Sequence, residues 1–182
     1  MRNALIQADV VHPCDVLHPR FTSINRGRIF LTGGTGFFGK WMLHSFIVLR
    51  DACGSDLSLT VLSRDPRQFL DNHPEFAGQN GLTFIPGDVR AFDFREFPSF
   101  DVVLHGATAA SAKLEKENPD EMYAVITKGT RHVLDFARHC GAARFLFMSS
   151  GAVYGSQPPH LSPLTETDAG DPASSYGQGK KM

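Results

Sequence analysis

Tyr176 and Lys180 stand four residues apart in the stretch SSYGQGKKM, residues 174–182. On a helix, positions i and i+4 share a face, so the ammonium would lie beside the phenol. A free tyrosine, with a pKa near ~10, is a poor base at neutral pH. A neighbouring positive charge favours the phenolate, which can then take a proton from a hydroxyl group. Most Y-x-x-x-K pairs are ordinary solvated helix pairs, so the reading depends on what the rest of the chain builds around this one.

A second chemical stretch is TGGTGFFG, Thr32 to Gly39, with Gly33, Gly36 and Gly39 in G-x-x-G-x-x-G spacing and Phe37 and Phe38 between the last two. Placed between a strand and a helix, glycines serve three needs. The turn is tight, the backbone must approach a pyrophosphate, and the helix must pack close to the strand. The phosphates would sit on the unpaired N–H groups of the helix start. The pattern therefore predicts a dinucleotide site. A glycine-rich turn without ligand is the alternative, and strand-turn-helix context is what separates the two.

Two further strand ends would complete that site. In LSRDP, Ser63 occupies the tip where a carboxylate would bind the adenosine ribose of NAD, with Arg64 next to it and Arg67 close by. Arginine there accommodates a 2′-phosphate, so NADP is favoured over NAD. Asp65 comes one or two residues late but could still reach, and Arg64 could be a solvated surface charge. In GDVR, Asp88, beside Val89, could accept from the adenine amino group or cap the next turn.

The elements that must position these groups read as alternating strands and helices. Strands are expected at 28–32, 57–63, 82–87, 101–107 and 144–150. A helix is expected over about 37–50, with Phe38, Met42, Phe46 and Leu49 on one side. The longest helix is expected over 120–139, with Met122, Ile126, Thr130, Val133 and Ala137 in helical period and Gly141 as its stop. Short apolar strands with helices between them predict a doubly wound parallel sheet, a Rossmann-type three-layer αβα arrangement. Residues 155–175, rich in Pro, Ser and Gly and containing Pro158-Pro159, read as a loop. Residues 1–26 read as an extension with one short helix, ahead of a domain over 27–182.

Composition sets outer limits. The chain has 182 residues, 42 % hydrophobic, with a formal net charge of −1. That balance gives no bias toward nucleic acid or a membrane surface, and no apolar run is long enough to span a bilayer. Cys14, Cys53 and Cys140 are far apart and form no C-x-x-C, so neither a disulfide framework nor a metal site is expected, and a reducing cytoplasm fits best.

Thr32–Gly39, Asp88, HGAT (105–108), SSGAVYG (149–155) and Tyr176–Lys180 come in the order seen in extended short-chain dehydrogenases/reductases. The chain resembles their NAD(P)-dependent nucleotide-sugar epimerases and dehydratases over residues 27 to 182. The resemblance implies that Ser150, Tyr176 and Lys180 form the catalytic set, with Tyr176 and Lys180 also against the cofactor. It implies that residues after the fourth strand, through Ala107, Thr108 and Ala109, line the cofactor, and that His105 is a structural, satisfied histidine. Dehydratases of this family carry an Asp-Glu pair after the serine. Gly151 and Ala152 stand there instead, which leaves epimerisation or ketone reduction of a nucleotide-sugar. Where many members have N-V-x-G-T, this chain has ITKGT (126–130), so the asparagine is absent. The family pairs subunits through the 120–139 helix, a homodimer that Tyr123 and Phe136 could support. The chain resembles the N-terminal part of a larger enzyme, ending before its substrate domain, so Tyr176 and Lys180 are expected to be poorly fixed. The alternative function is a dinucleotide-binding module without turnover.

Overall fold

Successive side chains of a strand point to opposite faces, and in β1 (Arg26–Thr32) both faces are apolar. Phe30 enters one hydrophobic cluster and Leu31 another. The same division recurs in β2 (Asp56–Ser63), where Val61 joins the Leu31 cluster and Leu62 the Phe30 cluster. A sheet buried in this way needs a layer on each side. The computed structural model, which describes residues 26–54, 56–109, 111–157 and 163–182, supplies both. Apart from Arg26, which opens β1, the expected N-terminal extension and its short helix lie outside the described residues, as do Pro158 and Pro159.

The remaining strands are β3 (Leu82–Pro86), β4 (Val102–His105) and β5 (Arg144–Phe147). All pairings are parallel, in the order β3-β2-β1-β4-β5. Each expected strand is present, but β4 and β5 stop earlier than the apolar runs do. The chain leaves the sheet at Gly106 and Met148, so residues 106–109 and 148–150 form loops above the strand ends.

Helix α1 (Phe37–Cys53) lies on the Leu31 face and buries Leu43, Phe46 and Leu49. Phe38, expected on the buried side, is 65 % exposed, and Leu43 takes the core position instead. Two short helices escaped the sequence reading: α2 (Pro66–Asn72), capped by Asp65, and α3 (Ala112–Glu117), capped by Ser111. Pieces of seven and six residues, less than two turns each, are too short to display a helical period, which is why they are silent in sequence.

Helix α4 (Pro119–His139) covers the other face, burying Met122, Ile126, Gly129, Val133, Phe136 and Ala137. Its C-terminus closes as expected at Gly141, which adopts φ 71° while the Ala142 N–H reaches back to Ala137 O at 2.9 Å. Phe136 does not face outward as a dimer contact. Its ring is fully buried with its centroid 4.3 Å from that of Phe30. Tyr123 remains exposed.

The last helix, α5 (Ser175–Lys181), has seven residues, too few to stand without packing. That packing is present. A Cβ on Gly177 would come within 2.5 Å of Ala152 O, and one on Gly179 within 3.2 Å of the Ile126 side chain. Ile126, where the family pattern has asparagine, thus serves as the apolar seat of α5. The expected looseness of Tyr176 and Lys180 is therefore not what the structure has: Gly177, Gly179 and Lys180 are buried.

Candidate active site

The strand order reverses direction between β1 and β4, the crevice at which open α/β sheets bind ligands. There the turn after β1 meets the loop after β4. Gly33 has φ 79°, and a Cβ on it would lie 2.5 Å from Gly106 C and 2.6 Å from Ala107 N. At Gly39 a Cβ would overlap Gly33 O and Gly34 C outright. Glycine at 33 and 39 is thus a steric requirement of this strand-to-helix junction.

Above the junction lies a cleft of about 830 Å³. Its floor and walls come from the ends of four strands: Gly33, Gly36 and Gly39 after β1, Ser63 and Arg64 after β2, Asp88 and Val89 after β3, and Ala107, Thr108 and Ala109 after β4. Phe37 and Phe38 line it as well, which explains why Phe38 is missing from the core. Ser150, Tyr176 and Lys180 are not part of this cleft lining.

Two features fit the cleft to a dinucleotide. Helix α1 has no side-chain cap and no acidic residue in its first turn, whereas α2, α3, α4 and α5 are all capped by a side chain. Its first N–H groups are left for an outside acceptor. In addition, Thr108 Oγ1 is buried without a hydrogen-bond partner in the cleft wall, the one such side-chain atom among the described residues. A buried hydroxyl without partner costs free energy that a ligand acceptor would relieve.

The β4 loop is held from below. Thr32 Oγ1 accepts the Ala107 N–H at 3.1 Å and lies 2.7 Å from His105 Nδ1. His105 Nε2 lies 3.1 Å from Thr130 Oγ1 on α4. With Thr32 donating to Nδ1, the ring proton sits on Nε2 and donates to Thr130. His105 is thus the satisfied structural histidine expected, and burial, with a smaller effect of Lys180, lowers its pKa to about 4.

At the strand tips, Asp65 is committed elsewhere: its carboxylate accepts the Gln68 N–H at 2.9 Å as the cap of α2. Arg64 is exposed at the cleft. Asp88 does cap its turn, accepting the Arg90 N–H at 2.8 Å. Hydrogen bonds from the Arg90 side chain hold its carboxyl below the usual range. Arg90 also pairs with Glu121 on α4 at 2.7 Å, pinning the β3 loop. Arg90 and Glu121 line the cleft but did not stand out in sequence, because the residues that Arg90 bridges are 33 positions apart, Asp88 to Glu121.

Ser150 caps the single turn at Gly151–Tyr154, its Oγ accepting the Ala152 N–H at 3.2 Å. Ser149 Oγ donates to Lys180 O at 3.3 Å, which ties the end of β5 to α5. Tyr176 is half-buried at the start of that helix. Lys180 is 3 % exposed; its Nζ donates to Met148 O at 2.8 Å and lies 4.6 Å over the Phe147 ring. Burial lowers its pKa to about 8. Among the described residues no hydrogen bond joins Tyr176 to Lys180, although one helix carries both groups. Among the same residues, no group of three or more His, Cys, Asp or Glu could hold a metal ion, and no helix is long and apolar enough to cross a membrane.

Comparison with known proteins agrees with this architecture. A UDP-glucose 4-epimerase of Erwinia amylovora is 30% identical over 158 residues, covering 85% of this chain and 45% of the relative. The solved UDP-N-acetylglucosamine 4-epimerase of Methanobrevibacter ruminantium is similar at 25% identity and TM-score 0.68, covering 86% of this chain and 47% of that one. The dTDP-glucose 4,6-dehydratase DesIV of Streptomyces venezuelae, at 24% identity and TM-score 0.70 over 84% of this chain and 48% of that one, shares the fold. The chain thus spans less than half the length of each of these three. The sequence model of the NAD dependent epimerase/dehydratase family matches residues 29–182, from the first sheet strand through Tyr176 and Lys180, and the chain belongs to that family.

Proposed function

We propose that the protein is an NAD(P)-dependent epimerase or reductase acting on a nucleotide-activated sugar, with Ser150, Tyr176 and Lys180 as its catalytic set. The observation that carries this reading is the cleft at the β1/β4 crevice, lined by the glycine turn and by the partnerless Thr108 hydroxyl. The 4-epimerase activity named for the relatives supports the substrate class. A bound nicotinamide would supply a hydride acceptor that can also return the hydride. The chain's own work is proton transfer and orientation. The Tyr176 hydroxyl, carried on the same helix as Lys180, would exchange a proton with the reacting sugar hydroxyl. The Ser150 hydroxyl donates to the same oxygen and shares its developing charge. Gly151 and Ala152 carry no carboxyl group, which argues against 4,6-dehydration.

NADP is the favoured cofactor, because Asp65 is occupied as a helix cap and Arg64 is exposed at the cleft, where it would meet a 2′-phosphate. Pairing of two copies through α4 is supported by its exposed Tyr123 and Leu134, and the buried free thiol of Cys140 suits a reducing, cytoplasmic setting. A dinucleotide-binding module without turnover is the second reading, favoured by the engagement of Lys180 Nζ with Met148 O instead of Tyr176.

Titration of NADPH and NADH against the fluorescence of Trp41, the single tryptophan, tests the cofactor. Arg64→Ala should weaken NADPH about tenfold and leave NADH nearly unchanged, the size of a lost charged contact. An unaltered NADPH preference would refute the Arg64 reading. Incubation with UDP-sugars and either cofactor, followed by NMR of the sugar, separates the two functional readings: no conversion in wild type would favour the binding module.

A further inference from the structure

We propose that Glu115 is the positioning residue for the helix that carries Tyr176 and Lys180. Its carboxylate accepts two backbone N–H groups from residues about sixty positions away: Oε1 takes that of Ser175 at 2.7 Å, and Oε2 that of Tyr176 at 3.0 Å. The next donor, the Gly177 N–H, goes to the helix's own cap, Ser174 Oγ, at 3.0 Å. The first three donors of α5, which no helix can satisfy from within, are therefore divided between Glu115 and Ser174. A carboxylate at this end also meets the positive pole of the helix dipole.

Among the described residues the Glu115 carboxylate has no other hydrogen-bond or ion-pair partner. Helix α3, on which it sits, contributes no buried residue to the core. Its neighbour Leu114 lines the cleft, so α3 places a cleft wall and the anchor of α5 on adjacent residues. Glu115 touches the backbone of Tyr176 and not its phenol, so it acts through the placement of that side chain. The catalytic consequence rests on the proposed Ser-Tyr-Lys chemistry; the anchoring does not.

The test uses the full chain with Glu115→Gln and Glu115→Ala. Amide hydrogen exchange followed residue by residue should accelerate at Ser175 and Tyr176 by about tenfold or more in the alanine variant, as expected for lost charged hydrogen bonds. The glutamine variant, which keeps one acceptor oxygen, should fall between it and wild type. Amides of Phe30 to Thr32 in β1 should be unaffected. Where wild type turns over a UDP-sugar, kcat should fall about tenfold with KM little altered, the signature of a misplaced reacting group. Equal exchange at Ser175 and Tyr176 in all three proteins would overturn the proposal. So would an acceleration spread evenly over the chain, which would make Glu115 a residue of general stability. Absence of turnover in wild type would count against the enzymatic reading, while the exchange rates would still decide the role of Glu115.

Discussion

Replacing Lys180 by methionine should make the protein more stable near neutral pH. The ammonium is 3 % exposed and held by one carbonyl and one aromatic face, and among the described residues no carboxylate pairs with it. Burial lowers its pKa from 10.5 to about 8. At about 1.4 kcal/mol per pH unit, keeping the charge in that site costs about 3 kcal/mol whenever the pH lies below about 8. Methionine retains an unbranched stem in the same space and has no charge to desolvate. It forfeits the hydrogen bond to Met148 O, worth about 1 kcal/mol. The net gain at pH 7 is about 2 kcal/mol, or about 4–8 °C in Tm for a domain of this size. The pH dependence carries the stronger test. Because the folded-state pKa is depressed, the unfolded chain binds more protons between about pH 8 and pH 10.5, and wild type gains stability as pH rises through that window. The advantage of Lys180→Met should shrink over the same window and reverse in sign by about pH 10.5. Urea unfolding followed by circular dichroism at pH 7, 9 and 10.5 would measure it. A variant less stable than wild type at pH 7, or a difference independent of pH, would refute the account of Lys180 as an unpaired buried cation.

Two further outcomes follow from the site's geometry. Gly39→Ala should cost about 3 kcal/mol in urea unfolding and abolish cofactor-induced quenching of Trp41, because its Cβ would overlap the backbone of Gly33 and Gly34. Between about pH 6.5 and pH 4, wild type should lose up to about 3 kcal/mol through His105, whose folded pKa is lowered to about 4 so that only the unfolded chain protonates there; His105→Gln should flatten this acid limb, and an unchanged limb would show that His105 is not the group responsible.

The glycine turn, the alternation of strands with helices and the Tyr176–Lys180 spacing were legible because each is a local pattern. A steric requirement of neighbouring backbone leaves glycines at set intervals, and a two-sided sheet leaves unbroken apolar runs. Position along those runs was less legible. β4 and β5 stop short of their apolar stretches, Phe38, expected on the buried side, lines the cleft, and Phe136, which the family resemblance offered as a subunit contact, fills the core. Periodicity reports which residues are apolar, while the facing layer decides which of them it covers.

What the sequence determined by itself is the kind of sheet, the glycine-rich turn between β1 and α1 and the identity of the groups that could do chemistry. Tertiary structure alone decided how those groups are held. Asp65 is taken up as the cap of a helix that was invisible in sequence. Lys180 turns into the protein toward Met148. The helix bearing Tyr176 is anchored by Glu115, sixty positions earlier than its first partner, Ser175. Such contacts join residues far apart in the chain, and their physical basis, a donor left without an acceptor or a charge taken out of water, exists only once folding has brought the two ends together.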